Sequence, residues 1–106
     1  MVLVVSNRMS VAKGWEEDFE RRWKQRKWTV AQFPGFIRTE VLRPVRGDHY
    51  VVMIYWKSKE DFERWTASQA HIEAHASPPP KEAFTGPNKL ELHEIIAESP
   101  PMATST

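Results

Sequence analysis

The chain has no cysteine among its 106 residues. Disulfides, thiolate nucleophiles, iron–sulfur clusters and thiolate-held iron are thereby excluded, so any iron ligand would have to be His, Tyr, Met or a carboxylate. The absence also fits a reducing compartment. Charge of one sign is lacking too: 15 basic against 14 acidic residues leave a net charge of +1, and the clustered basic residues have acids nearby, so the footprint of a nucleic-acid binder is missing. No long apolar run occurs. The longest, Val51 to Trp56, is far too short to cross a bilayer, and Met1 to Val5 runs into Ser6-Asn7-Arg8 without the basic leader of a secretory signal. A glycine-rich dinucleotide or flavin fingerprint is also absent. Together these absences predict a soluble, cytoplasmic protein with neither nucleic acid nor membrane as a partner.

What is present fits one domain, large enough for a two-layer core but small enough that a second subunit would help cover apolar surface. Residues 2–9 (VLVVSNRM) alternate so that Leu3, Val5, Asn7 and Met9 share one strand face, and Asn7 interrupts that apolar row. Trp15, Phe19, Trp23 and Val30 recur at helical spacing through 15–32. That segment starts acidic (Glu16, Glu17, Asp18, Glu20) and ends basic (Arg21, Arg22, Lys24, Arg26, Lys27), as the helix dipole favours. Pro34-Gly35 ends it. Residues 36–43 and 49–56 read as a hairpin turning through Pro44 and Gly47, its second strand apolar on both faces. Ser58 and Asp61 have capping-box spacing for a helix over 59–76, with Phe62, Trp65 and Ile72 inward and Lys59/Glu63 and Glu60/Arg64 paired on the wet side. Pro78-Pro79-Pro80 stops it, and a loop over 77–88 and a strand over 89–97 follow. The order β-α-β-β-α-β predicts an α+β, ferredoxin-like sandwich occupying 1–98, with 99–106 as a disordered C-terminal tail.

Three residues stand out for chemistry. Asn7 places an amide on a core-facing strand position, where leaving it unpaired costs about 1–3 kcal/mol, so either neighbouring backbone or a ligand must satisfy it. Trp65 is either a core residue or the wall of a pocket, whereas Trp15, Trp23, Trp28 and Trp56 read as core or interface aromatics. His71 and His75 stand four apart on one helix and could share a metal, but local spacing offers no third ligand. One imidazole serving as axial ligand to haem iron asks less of the sequence, because the porphyrin supplies four donors. His49, His93, Tyr50 and Tyr55 read as surface or structural residues.

More specific is an ordered set of fragments: Asn7-Arg8 in the first strand, PGF at 34–36, LRPVRG at 42–47, WKSKEDFERW at 56–65 and AHIEAH at 70–75. On these the chain resembles the antibiotic-biosynthesis-monooxygenase superfamily, and within it the haem-degrading monooxygenases of the iron-regulated surface determinant G type, from residue 2 to about 97. The resemblance implies a homodimer in which two sheets make a β-barrel, with a haem pocket between sheet and helices in each subunit. It implies His75 as the iron ligand, Asn7 as a hydrogen-bond donor on the oxygen-binding face and Trp65 as the group that ruffles the porphyrin. His71 does not match the ligand position. Haem would be both cofactor and substrate, O2 the co-substrate, and electrons would come from a reductase or small reductant; the outcome would be ring opening and iron release, as iron acquisition requires. Arg22 and Arg26 are placed to meet haem propionates, a solvated basic patch being the other reading. Two further functions stay open: a cofactor-free quinol or polyketide monooxygenase, which would not need His75, and a haem-binding protein without turnover.

Overall fold

The structure, a computed structural model, describes residues 1–101. Four β-rich segments pair into one antiparallel sheet: β1 (Leu3–Met9), β2 (Phe36–Leu42), β3 (Tyr50–Trp56) and β4 (Lys89–Glu94), in the spatial order β2-β3-β1-β4. Three helices, α1 (Glu16–Lys24), α2 (Lys59–Thr66) and α3 (Gln69–Ala74), supply the second layer. The predicted ferredoxin-like α+β sandwich is therefore the observed architecture. Of the tail expected at 99–106, residues 102–106 lie outside the described ones.

Register decides which side chains meet the helices. Across β1 and β3, Leu3 faces Trp56, Val5 faces Ile54 and Asn7 faces Val52, so the alternation read in residues 2–9 does set the helix-facing row. Leu3, Val5, Trp56 and Trp65 form the core cluster, with Phe36, Ile54, Phe62, Ala70 and Ala74 packed against it. A second apolar contact lies under α1, where Phe19 meets Tyr50 edge-on at 4.7 Å and Phe84 at 6.2 Å. Both apolar contacts use the Tyr50 and Trp56 face of β3. Val51, Met53 and Tyr55 point the other way and are only half-buried.

Both long helices expected from the hydrophobic spacing are broken. The first ends at Lys24, and a 3-10 turn over Thr29–Gln32 follows. Ending there lets Trp28 stack on Trp23 at 6.0 Å and 27°; a continuous helix would point residues five apart to different faces. Trp28, Thr29 and Val30 are also aromatic or β-branched, hence weak helix formers. The second helix breaks at Ala67–Ser68, because the Ser68 hydroxyl takes the Trp65 carbonyl and caps α3. The break turns Ala70 and Ala74 inward and leaves Ile72, expected in the core, 59% exposed. Half of the capping box at Ser58 is present, the Asp61 N–H donating to Ser58 Oγ at 3.2 Å, and the Ser58 hydroxyl donates to the Asp61 carboxylate at 2.8 Å. Arg64, however, pairs with Asp61 at 2.5 Å instead of Glu60. The strand expected over 89–97 ends at Glu94, and the loop over 77–88 is not structureless: Ala83 is buried, and Ala12 N–H and Thr85 N–H clip the loop to the end of β1 at 2.7 and 2.8 Å.

Gly35, at φ +87°, lies so close to Asp61 that a Cβ there would collide with its side chain. With Lys57 N–H donating to the Gly35 carbonyl at 2.8 Å, the turn after Pro34 is pressed onto the start of α2, which sets the helix that carries Trp65.

Candidate functional site

Asn7 sits in the centre of the sheet, flanked by Val52 on β3 and Leu90 on β4. Its Oδ1 is buried and has no hydrogen-bond partner among the described residues. Neighbouring backbone therefore does not satisfy this end of the amide, which was the plain structural alternative for it. Because amide O and N exchange by a half-turn of the side chain, the free end can present either an acceptor or a donor to a ligand. On the same face of β4, Leu90 is 55% and Leu92 41% exposed: apolar surface beside Asn7 is left uncovered, as the flat apolar face of a large ring would require.

Trp65 is 5% exposed and belongs to the core. Its indole lies 6.3 Å from Trp56 and meets Phe33 edge-on at 5.3 Å, and its remaining side meets the His71 imidazole edge-on at 5.4 Å. The His71 ring in turn lies 4.3 Å from that of His75. These three rings form one continuous row.

The two histidines differ in their environments. Burial, and then the neighbouring His75, push the His71 pKa below its ordinary value, favouring the neutral form of that imidazole. His75 caps the C-terminal end of α3 and is exposed. Its Nδ1 lies 2.9 Å from the His71 carbonyl. A carbonyl can only accept, so a neutral His75 carries its proton on Nδ1 and leaves the Nε2 lone pair free, the tautomer and orientation that a metal-binding imidazole needs. No group of three His, Asp or Glu that could hold a bare metal ion occurs among the described residues.

Of the two arginines expected near propionates, the structure brings one to this row. Arg26 reaches the Ala74 carbonyl at 3.4 Å, next to His75, and its guanidinium lies 4.5 Å over the Trp23 ring. Burial holds its pKa below the usual arginine value. Arg22 is instead exposed and paired with Asp18 at 2.8 Å.

Sequence reasoning missed a separate network. The Glu20 carboxylate accepts from Arg43 Nε at 2.9 Å and from the Tyr50 hydroxyl at 2.5 Å. The Arg43 hydrogen bond, and after it that of Tyr50, hold Glu20 at a pKa of about 2, while burial and then Glu20 raise Tyr50 to about 12. These groups line a groove of about 450 Å³ between α1 and β2, with Trp23, Trp28, Thr39 and Val41, and none of Asn7, Trp65 and His75 borders it. A depressed carboxyl contributes stability that is complete above its ordinary value and is lost as the pH falls through its folded value. Glu20→Gln is therefore expected to flatten the loss of stability between about pH 4.5 and pH 2, read as denaturant midpoints across that range; an unchanged acid slope would show that the network contributes nothing.

The chain is similar in sequence and fold to several known proteins. The sequence profile described as "Antibiotic biosynthesis monooxygenase" matches residues 2–77. A heme oxygenase (mycobilin-producing) of Mycobacterium tuberculosis is 34% identical over 97 residues, covering 91% of each chain. A heme-degrading monooxygenase of Bacillus cereus is 28% identical over 107 residues, covering 98% of this chain and 99% of that one. Among solved structures, the M. tuberculosis heme degrader MhuD with two hemes bound in its active site superimposes with a TM-score of 0.78 at 32% identity, over 92% of this chain and 99% of that one.

Proposed function

Since the chain belongs to the antibiotic biosynthesis monooxygenase family, we propose that it is a haem-degrading monooxygenase with His75, Trp65 and Asn7 at its site. The observation that carries the assignment of the site is the His75 ring: its Nδ1 is held by the His71 carbonyl at 2.9 Å, and its Nε2 is left as the strong neutral donor at the end of an aromatic row. A cofactor-free oxygenase has no use for that arrangement.

When bound, haem supplies both the iron chemistry that activates O2 and the ring that is opened. The chain's own groups do the rest. His75 would hold the substrate through Nε2, and the hydrogen bond to the His71 carbonyl would raise the basicity of that nitrogen. Asn7, by the half-turn that exchanges its unpaired Oδ1 for the amide N–H, would offer a donor where negative charge develops on the bound group. Trp65, backed by Trp56 and Phe33, is a stiff surface that sets the shape of the pocket. Arg26 offers a propionate a cation with its stem already half-buried, and Arg22 joins it on leaving Asp18. An external reductase or small reductant supplies electrons, in a cytoplasmic setting.

Titrating haemin into the apoprotein while recording the Soret band, then adding ascorbate under air, tests this reading. Uptake followed by bleaching supports it. Uptake without bleaching would make the protein a haem buffer, and no specific uptake would favour a quinol oxygenase.

Asn7→Ala is expected to retain much of the haem affinity yet slow degradation by on the order of a hundredfold, the typical effect of removing one preorganised donor. Wild-type turnover in this variant would remove Asn7 from the mechanism. A homodimer is also proposed, because the Val51, Met53 and Tyr55 face of β3 is half-buried and the helices pack on the other side. Two such faces closing into a barrel would cover it. Sedimentation equilibrium should give twice the monomer mass at micromolar concentration; a stable monomer would discard the barrel.

A further inference from the structure

The joint between α2 and α3 is made by one hydroxyl. Ser68 Oγ donates to the Trp65 carbonyl at 2.6 Å and accepts from the His71 N–H at 3.2 Å, so it touches the last turn of the helix that carries Trp65 and the first turn of the helix that ends in His75. We propose that Ser68 is a positioning residue of the haem site, setting the ring orientation and tautomer of His75 through the backbone of His71. This rests on the haem-degrading reading above.

The connection is short. Ser68 Oγ holds the His71 N–H, and the His71 carbonyl accepts from both the His75 N–H at 3.2 Å and the His75 ring nitrogen at 2.9 Å. α3 has six residues, too few to be stable by its own hydrogen bonds, and with Ile72 turned out it packs on the core through the small side chains of Ala70 and Ala74 and the His71 ring on Trp65, with Arg26 on the Ala74 carbonyl. A helix so short and so lightly packed depends on its cap. The Trp65 carbonyl, by contrast, keeps the Ser68 N–H at 3.0 Å whatever the side chain, so the end of α2 survives loss of the hydroxyl. What is lost is the tie from α2 to the His71 N–H, and with it the cap that fixes where the His71 carbonyl meets His75.

The test reads His75 directly. In the apoprotein, long-range 1H–15N spectra should show wild-type His75 predominantly protonated on Nδ1 when neutral. Ser68→Ala is expected to raise the minor tautomer severalfold, while Ser68→Thr and Ser68→Asp, which keep an oxygen for the His71 N–H, should restore the wild-type ratio. In the haem complex, the iron–histidine stretching band of the reduced protein should broaden or shift in Ser68→Ala and not in Ser68→Thr. If Ser68→Ala does not fold, the pair Ser68→Gly and Ser68→Asp gives the same comparison. A wild-type tautomer ratio and stretching band in the variants without an acceptor would overturn the proposal. Failure of the wild-type protein to take up haemin would overturn the haem reading instead, and the tautomer ratio of the apoprotein would still decide the role of Ser68.

Discussion

In His75→Ala the tight haem spectrum is expected to disappear, with haemin affinity falling by on the order of a hundredfold, whereas His71→Ala should retain it. The contrast follows from what each substitution removes. Truncating His75 deletes the exposed imidazole at the end of the row, whose Nε2 is left unprotonated by its other hydrogen bond. Truncating His71 deletes a ring between Trp65 and His75 but leaves its carbonyl, the group that orients His75. Spectral titration of both variants decides the matter. Equal loss in the two, or none in His75→Ala, would mean that the ligand lies elsewhere.

Trp65→Ala is expected to act first on stability. The indole is 5% exposed and packed among Trp56, Phe33 and His71, so its removal opens a core cavity and should cost about 3–5 kcal/mol. For a domain of this size that lowers the melting temperature by roughly 10 °C or more. Trp65→Phe retains most of the packing and should lose much less. Haem degradation in the two variants must therefore be compared at equal folded fraction. Under that condition Trp65→Phe is expected to degrade haem more slowly than wild type but faster than Trp65→Ala, if the indole also shapes the porphyrin. An unchanged melting temperature in Trp65→Ala would contradict its place in the core.

What the sequence showed and what it hid divide along physical lines. Strand faces were legible, because a period of two with one buried side leaves little freedom: Leu3, Val5 and Asn7 lie on the face their alternation predicts. The capping box at Ser58 was legible because it is local. Helix breaks were not. The spacing of Phe19, Trp23 and Val30, or of Phe62, Trp65 and Ile72, continues across a break, since hydrophobic periodicity does not register a hydroxyl that competes for a carbonyl, as Ser68 does, or an indole that gains a stacking partner, as Trp28 does. The pairing of Arg22 with Asp18 was available as an i, i+4 match in the sequence. Nothing local announces the network of Glu20, Arg43 and Tyr50, because its members come from α1, the hairpin loop and β3 and meet only once the helix lies on the sheet. In the row from Trp65 to His75, resemblance pointed to the two ends. The His71 carbonyl and the Ser68 hydroxyl, which hold the row together, emerge only from the folded chain.

β1 is made first and completed last. As the polypeptide leaves the ribosome, Asn7 can pair with Val52 once β3 has emerged, but Leu90 arrives only with β4, so one edge of β1 stays open until residues 89–94 have followed. Pairing over so great a sequence separation is slow, and an unpaired edge is open to mistaken partners in the meantime. A chain that lacked residues 89–94 would hold the residues of α2 and α3 and yet miss the strand beside Asn7. Under the proposed function, haem offered to such a chain would meet a site without Leu90 and Leu92, so the pocket is complete only once the last strand has closed the sheet.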